Sequence, residues 1–189
     1  MGNREDLLAG ARRCLFEKGY ARTTVRDIAT ASGVSMAAIG YHFGSKEALL
    51  TAALSEATRE WGVDLARALE NSGDSESDPL RRFANRWEVV RDSIATHRGV
   101  WAATFDALSH PETREQLATV VLEARSGLAR LFEGVDDVDP DAARSLGAMY
   151  QALLIGVAAQ YLIDPDSAPT EAALAEGVGL IMRPNGIGE

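Results

Sequence analysis

Cysteine is almost absent from the 189-residue chain: Cys14 stands alone. No internal disulfide can form, and a reducing, cytoplasmic setting is the simplest expectation. Histidine is nearly as scarce, and His42, His97 and His110 show neither HExxH nor CxxC-type ligand spacing, so no metal site is expected. There is no GxSxG and no glycine-rich phosphate loop after a strand. These absences leave no catalytic residue to name, no enzyme activity and no cofactor. Period-two alternation is missing as well, which argues against a sheet. No apolar stretch follows Met1 to Asp6, so no secretory signal is expected. The only long hydrophobic run, Leu146 to Leu162, is shorter than the roughly 20 residues of a membrane span. It reads as a helix buried on most sides, and no membrane partner is expected.

Positive charge is also in deficit, at a net −9, but unevenly. Residues 1–53 carry seven Lys/Arg against five Asp/Glu, whereas the remainder carries twelve against twenty-three. Acidity thus belongs to the C-terminal two thirds and does not exclude an anionic partner for the N-terminal part.

What is present is helical periodicity from end to end. A first helix over 4–18 places Leu7, Leu8, Ala11, Cys14 and Leu15 on one face and closes at Gly19. Three short segments lead to a long helix over 45–70. After the loop-like stretch 71–79, further helices are expected over 79–96, 99–108, 111–132, 140–162 and 169–182. Pro79, Pro111, Pro140 and Pro169 sit where a first helical turn tolerates proline. Nine helices without a sheet make the fold class all-α.

The informative stretch is 19–50. Thr24 and Asp27 have the spacing of a capping box, with Thr23 read as exposed beside them. The helix they start carries Val25, Ile28 and Ala29 inward, and Gly33 stops it. Val34 packs beneath the turn, and Ser35 caps a second helix from Met36 to His42. Two short helices around a central glycine make a helix-turn-helix, whose second helix enters the major groove N-terminus first. Met36, Ala37 and Ala38 are slender enough to approach bases closely. Ser45, Lys46 and Glu47 open the next helix, whose N-terminus and lysine suit a phosphate. Tyr20 and Phe43 read as core, and Cys14 as a buried inert thiol.

The pattern GY-x2-TTV-x-DIA-x2-SGVS-x6-HF-x-SKEALL, set within Ala11 to Leu54, resembles the signature of the TetR-like (TetR/AcrR) transcriptional repressors. The resemblance implies a helix-turn-helix DNA-binding domain over 1–50 and a helical effector-binding and dimerisation domain over 51–189. It implies phosphate contacts for Thr24, Ser35, Tyr41, His42 and Lys46, and base contacts for Arg26, Met36, Ala37 and Ala38. Arg26 also reads as a solvated helix charge, and the Tyr41 ring allows core packing together with a phosphate bond. Gly40 departs from the pattern, since many relatives carry an aromatic residue there. The function implied is a homodimeric repressor released from a palindromic operator by a small molecule. The alternative is a regulator without such a switch, an activator or one controlled by a protein partner.

In the C-terminal part the helix over 140–162 is apolar nearly all round. A large stripe holds Leu146, Tyr150, Leu153, Val157 and Tyr161, and a small one holds Ala148, Ala152, Gly156 and Ala159. The last helix carries Ala173, Leu174, Gly177, Val178 and Ile181. The resemblance implies that these two helices pair with their copies in a four-helix bundle; an intrachain core is the other reading. Trp87, Trp101, Phe105 and Tyr150 are candidates to line an effector pocket or to fill the core. Without a cationic cluster in the apolar stripes, an apolar or aromatic effector is favoured over a strongly anionic one.

Overall fold

A computed structural model describes residues 3–72, 76–133 and 139–183. Part of the 71–79 loop and Val138 therefore lie outside the described residues. Those described form α1 (Asn3–Lys18), α2 (Val25–Ser32), α3 (Met36–Phe43), α4 (Lys46–Asn71), α5 (Pro79–Thr96), α6 (Arg98–Ala107), α7 (Pro111–Glu133), α8 (Pro140–Ile163) and α9 (Glu171–Ile181), with no strand among them. The all-α class is as the sequence requires. Most boundaries shift by a single residue, and the start of the last helix by two: Pro169 does not begin it. Thr170 caps it, accepting the N–H of Ala173 at 3.1 Å, and the proline lies outside.

The helices form two compact packing units. The first comprises residues 1–62 and 97–123, so it extends beyond the helix-turn-helix to take in α6 and part of α7. Its centre is built from Leu7, Leu15, Tyr20, Ile28, Ile39, Leu49, Leu50 and Leu54, all essentially inaccessible, with Ala103 and Ala107 of α6 packed among them. Burying each large aliphatic chain contributes about 1.5–3 kcal/mol. Trp61 meets Trp101 edge to face, with centroids 5.0 Å apart, and Trp101 leans on Phe105 at 6.3 Å. Thr23 is buried rather than exposed beside Thr24. Its hydroxyl donates to the carbonyl of Gly19 at 2.7 Å and lies 3.2 Å from that of Cys14, so the buried hydroxyl is satisfied.

The second unit comprises residues 63–96 and 124–189, of which those described form the end of α4, α5, the end of α7, α8 and α9. α5 packs on α8 and α9 through Trp87, Val90 and Ile94. An aromatic column runs Phe83, Trp87, Phe132, Tyr150, with successive centroids 5.9, 5.6 and 4.4 Å apart. Gly147 marks where α8 crosses α7: a Cβ there would stand 2.0 Å from the carbonyl oxygen of Arg125, so only glycine fits.

α8 departs from the expectation of burial on most sides. Only a third of its most apolar window is buried within one chain. Leu154, Val157 and Ala158 face inward, while Met149, Ala152, Ile155 and Ile163 remain exposed. By length and composition alone the helix is long and apolar enough to cross a membrane.

Candidate nucleic-acid interface

The local sequence builds the site from two caps and a glycine turn. Thr24 is in the extended conformation before α2, its Oγ1 accepting the N–H of Asp27 at 3.1 Å. Asp27 reciprocates through Oδ2, which accepts the Thr24 N–H at 2.9 Å and its hydroxyl proton at 2.6 Å. The capping box is therefore complete, and the Thr24 hydroxyl proton is committed to it. Lys18 at the end of α1 also binds Asp27, and together with Thr24 it holds that carboxyl well below the usual carboxylate range. Gly33 then ends α2 at φ +71°, a left-handed conformation that lets the chain turn into α3.

α3 has one fully buried residue, Ile39, at 2% exposure. Met36, Ala37, Gly40 and Tyr41 are exposed on the opposite side, Ala38 is half-buried against the core, and His42 is half-buried. Ser35 precedes the helix with extended backbone but makes no capping hydrogen bond. That corrects its expected capping role and leaves its exposed hydroxyl available to a ligand. The Tyr41 ring takes no part in the core: it is 86% exposed and meets only the His42 ring edge-on, at 4.9 Å. Tyr41 lies one turn beyond Ala37 (i, i+4) and shares its outward face, which explains the exposure. Phe43 does pack on the core, with the Arg4 guanidinium 5.2 Å above its ring.

Arg26 is exposed on α2. Lys46 is more constrained than the sequence suggests. Its Nζ donates to the carbonyl of Thr23 at 3.1 Å and lies 3.3 Å from the Glu47 carboxylate, with 22% of the side chain accessible. It thereby ties the start of α4 to the turn before α2. Ser45 caps α4, accepting the N–H of Ala48 at 3.0 Å. Thr24, Arg26, Ser35, Met36, Ala37, Ala38, Tyr41, His42 and Lys46 all fall in the first packing unit, on α2, α3 and the ends that flank them. Chemically the surface offers hydroxyls, one exposed guanidinium and one ammonium around a slender helix face. That composition suits phosphates flanking readable bases. Nothing in it supports covalent or acid–base chemistry.

A family profile described as bacterial regulatory proteins, tetR family, matches residues 7–53. Over the longer range, the HTH-type transcriptional regulator TtgR of Pseudomonas putida is 30% identical across 177 residues, 87% of this chain and 82% of that protein. The chain belongs to the TetR family. It is a transcriptional regulator, and its relatives are regulators rather than enzymes. The HTH-type transcriptional repressor AcnR of Corynebacterium glutamicum is 48% identical over 71 residues, 38% of this chain and 36% of that one. Among solved structures, the multidrug binding protein EbrR in complex with imidazole has a TM-score of 0.68 at 25% identity, covering 93% of this chain and 87% of its own.

The four aromatic pocket candidates are not brought together. Trp101 and Phe105 pack with Trp61 inside the first unit, whereas Trp87 and Tyr150 belong to the second. Trp87 is fully buried in the aromatic column. Of the four, Tyr150 lines a cavity in the second unit formed with Leu80, Phe83 and Phe132. Sequence reasoning missed two supports of the candidate surface. Lys18 pairs with Asp27 nine residues away, beyond any single-helix spacing rule. Asp106 bonds to Tyr20 across 86 residues, which no local pattern reveals.

Proposed function

We propose that this TetR-family regulator is a homodimeric cytoplasmic repressor that reads a palindromic operator through α3 and is released by a small molecule. The observation that carries the DNA-reading part is the division of α3: Ile39 anchors it in the core while Met36, Ala37, Gly40 and Tyr41 face outward. An anchored helix with a slender outward N-terminus fits the major groove. Arg26, Ala38 and the hydroxyl, His42 and Lys46 positions surround it as base and phosphate contacts.

Dimerisation is supported by apolar surface that one chain leaves uncovered. On α8 this includes Met149, Ile155 and Ile163; at the end of α9 it includes Ile181 at 76% and Met182 at 73% exposure. Ala148, Ala152, Gly156 and Ala159 keep the α8 surface low enough for a second helix to approach, and Leu174, Gly177 and Val178 contribute from α9. A second copy in a two-fold arrangement covers both helices at once.

Sedimentation of the full chain, alone and with a palindromic operator fragment, tests this reading. A dimer that binds one operator with two half-sites about 34–36 Å apart is expected. A monomer at micromolar concentration that stays monomeric on DNA overturns it.

A further inference from the structure

A cavity in the second packing unit bears on the chemistry of the effector. It measures about 170 Å³. An apolar protein cavity of about 150 Å³ takes up benzene, so this one fits a single aromatic ring with a short substituent. Leu80 and Phe83 of α5 and Phe132 of α7 supply apolar wall, and Met149, Val178 and Met182 line the side next to the proposed dimer face. Phe132 and Tyr150 are stacked 4.4 Å apart with their planes 10° from parallel.

The polar groups at the cavity discriminate further. The Tyr150 hydroxyl donates to Glu133, and burial together with that carboxylate pushes the phenol far above its ordinary pKa. Its proton is committed, and so is one Glu133 oxygen. Arg86 donates to the main-chain carbonyls of Leu131, at 3.0 Å, and Phe132, which fixes it at the end of α7. Arg82, one helical turn earlier, is half-buried, lines the same cavity, and has no hydrogen bond or ion pair of its side chain among the described residues. Its charge acts on the Tyr150 phenol, so it lies within electrostatic reach of the cavity interior. A guanidinium with its planar fork unpaired is matched by a carboxylate, which accepts two parallel N–H bonds. Two arginines against one glutamate also disfavour a cation.

We propose that this cavity binds a monocyclic aromatic carboxylate, its ring between the apolar walls and its carboxylate on Arg82. The effector role of such a ligand rests on the small-molecule-released reading above. The ring agrees with the aromatic expectation from the sequence, while the carboxylate departs from its preference against an anionic effector. The acidic group comes from Arg82, which no apolar stripe displays.

Calorimetric titration of the full chain with benzoate, benzyl alcohol and benzylamine tests the assignment. Benzoate should bind, benzyl alcohol at least about 10-fold more weakly, and benzylamine weakest of all. Arg82→Gln should weaken benzoate by about 10- to 100-fold, the loss of a charge-assisted pair, while leaving benzyl alcohol unchanged. Leu80→Trp, which fills the cavity, should abolish both. The wild-type ligand series decides even where a variant fails to fold. Absence of benzoate binding, equal binding of benzylamine, or an Arg82→Gln variant that binds benzoate normally overturns the proposal. Operator affinity is measured in parallel. Arg82-dependent benzoate binding that leaves operator affinity unchanged supports the cavity site and overturns its effector role. An operator-competent dimer that ignores benzoate overturns the cavity site and leaves the repressor reading intact.

Discussion

Asp106 reaches from α6 to the turn after α1, where its Oδ2 accepts the backbone N–H of Tyr20 at 2.6 Å and that of Ala21 at 3.3 Å. The same tyrosine is held from its other end. Its hydroxyl accepts from Thr113 at 2.8 Å, and its ring lies 4.6 Å from that of His110. α6 and the start of α7 therefore clamp the residue that leads into α2. Together with Ala103 and Ala107 in the core, this clamp joins residues 97–123 to the N-terminal helices.

Removing the clamp should destabilise the first packing unit. Asp106→Ala leaves a part-buried N–H without its charged acceptor, a cost of about 1–3 kcal/mol. The melting temperature should fall by about 2–4 °C for each kcal/mol, and exchange of the Tyr20 amide should accelerate. Operator binding should weaken too, because the turn positions Thr24 and Asp27. A variant with wild-type melting and amide exchange would show that the contact contributes nothing.

Positioning and reading should separate by mutation. Lys46→Ala is expected to weaken binding to every DNA sequence and to reduce the salt dependence by about 0.9 in log–log slope, one phosphate's worth. Larger side chains at Ala37, on the exposed face of α3, should change operator preference and leave that slope intact. An unaltered slope in Lys46→Ala would confine the lysine to its bond with the Thr23 carbonyl.

The helices were legible in the sequence because their ends are punctuated locally. Gly19 and Gly33, the Thr24–Asp27 box and Pro79, Pro111 and Pro140 each act within a few residues. Misreadings arose where the deciding partner is distant. Thr23 and Thr24 are adjacent and chemically identical, yet a core carbonyl takes one and Asp27 the other. Aromatic periodicity likewise placed Trp87, Trp101, Phe105 and Tyr150 on inward faces but could not tell which packing unit each would join. The unpaired state of Arg82 depends on what α7 and α8 place around it, so it was invisible in one dimension.

The exposed face of α8 should be necessary for assembly. Ile155 is 39% exposed in the apolar middle of α8, and Ile155→Glu introduces a charge that a packed interface cannot solvate. Sedimentation should shift from dimer to monomer at micromolar concentration, with helical content retained and operator affinity lost. A dimer that tolerates the glutamate would place the interface elsewhere.

Cys14 should behave as a core atom. It is 3% exposed, and burial, followed by the charge of Asp27, pushes its thiol pKa up. At pH 8 a thiol reagent should label the native chain far more slowly than the chain in denaturant, because the thiolate is both scarce and shielded. The linkage has a definite sign. A raised native pKa means the unfolded thiol loses its proton first, so this group's contribution is constant below the ordinary cysteine pKa of about 8.5 and declines above it. Native labelling as fast as denatured labelling would mean that α1 opens readily.

The final prediction concerns how an effector reaches the operator. α4 is a single helix from Lys46 to Asn71, supplying residues up to Gly62 to the first packing unit and those after it to the second. Its first turn is capped by Ser45 and tied through Lys46 to the Thr23 carbonyl, next to the α2 cap. In a dimer, two copies of α3 fit successive major grooves only near a separation of about 34–36 Å. A ligand that favours a different packing of α4 changes that separation in both subunits together. Couplings of this kind are about 1–3 kcal/mol, or 5- to 150-fold in affinity, and are reciprocal by thermodynamic necessity. Operator DNA should therefore weaken effector binding by the same factor by which the effector weakens operator binding. Titrating the effector into the protein with and without saturating operator measures this directly. Equal effector affinities in the two titrations would exclude release by that ligand, because a molecule indifferent to the two states shifts neither.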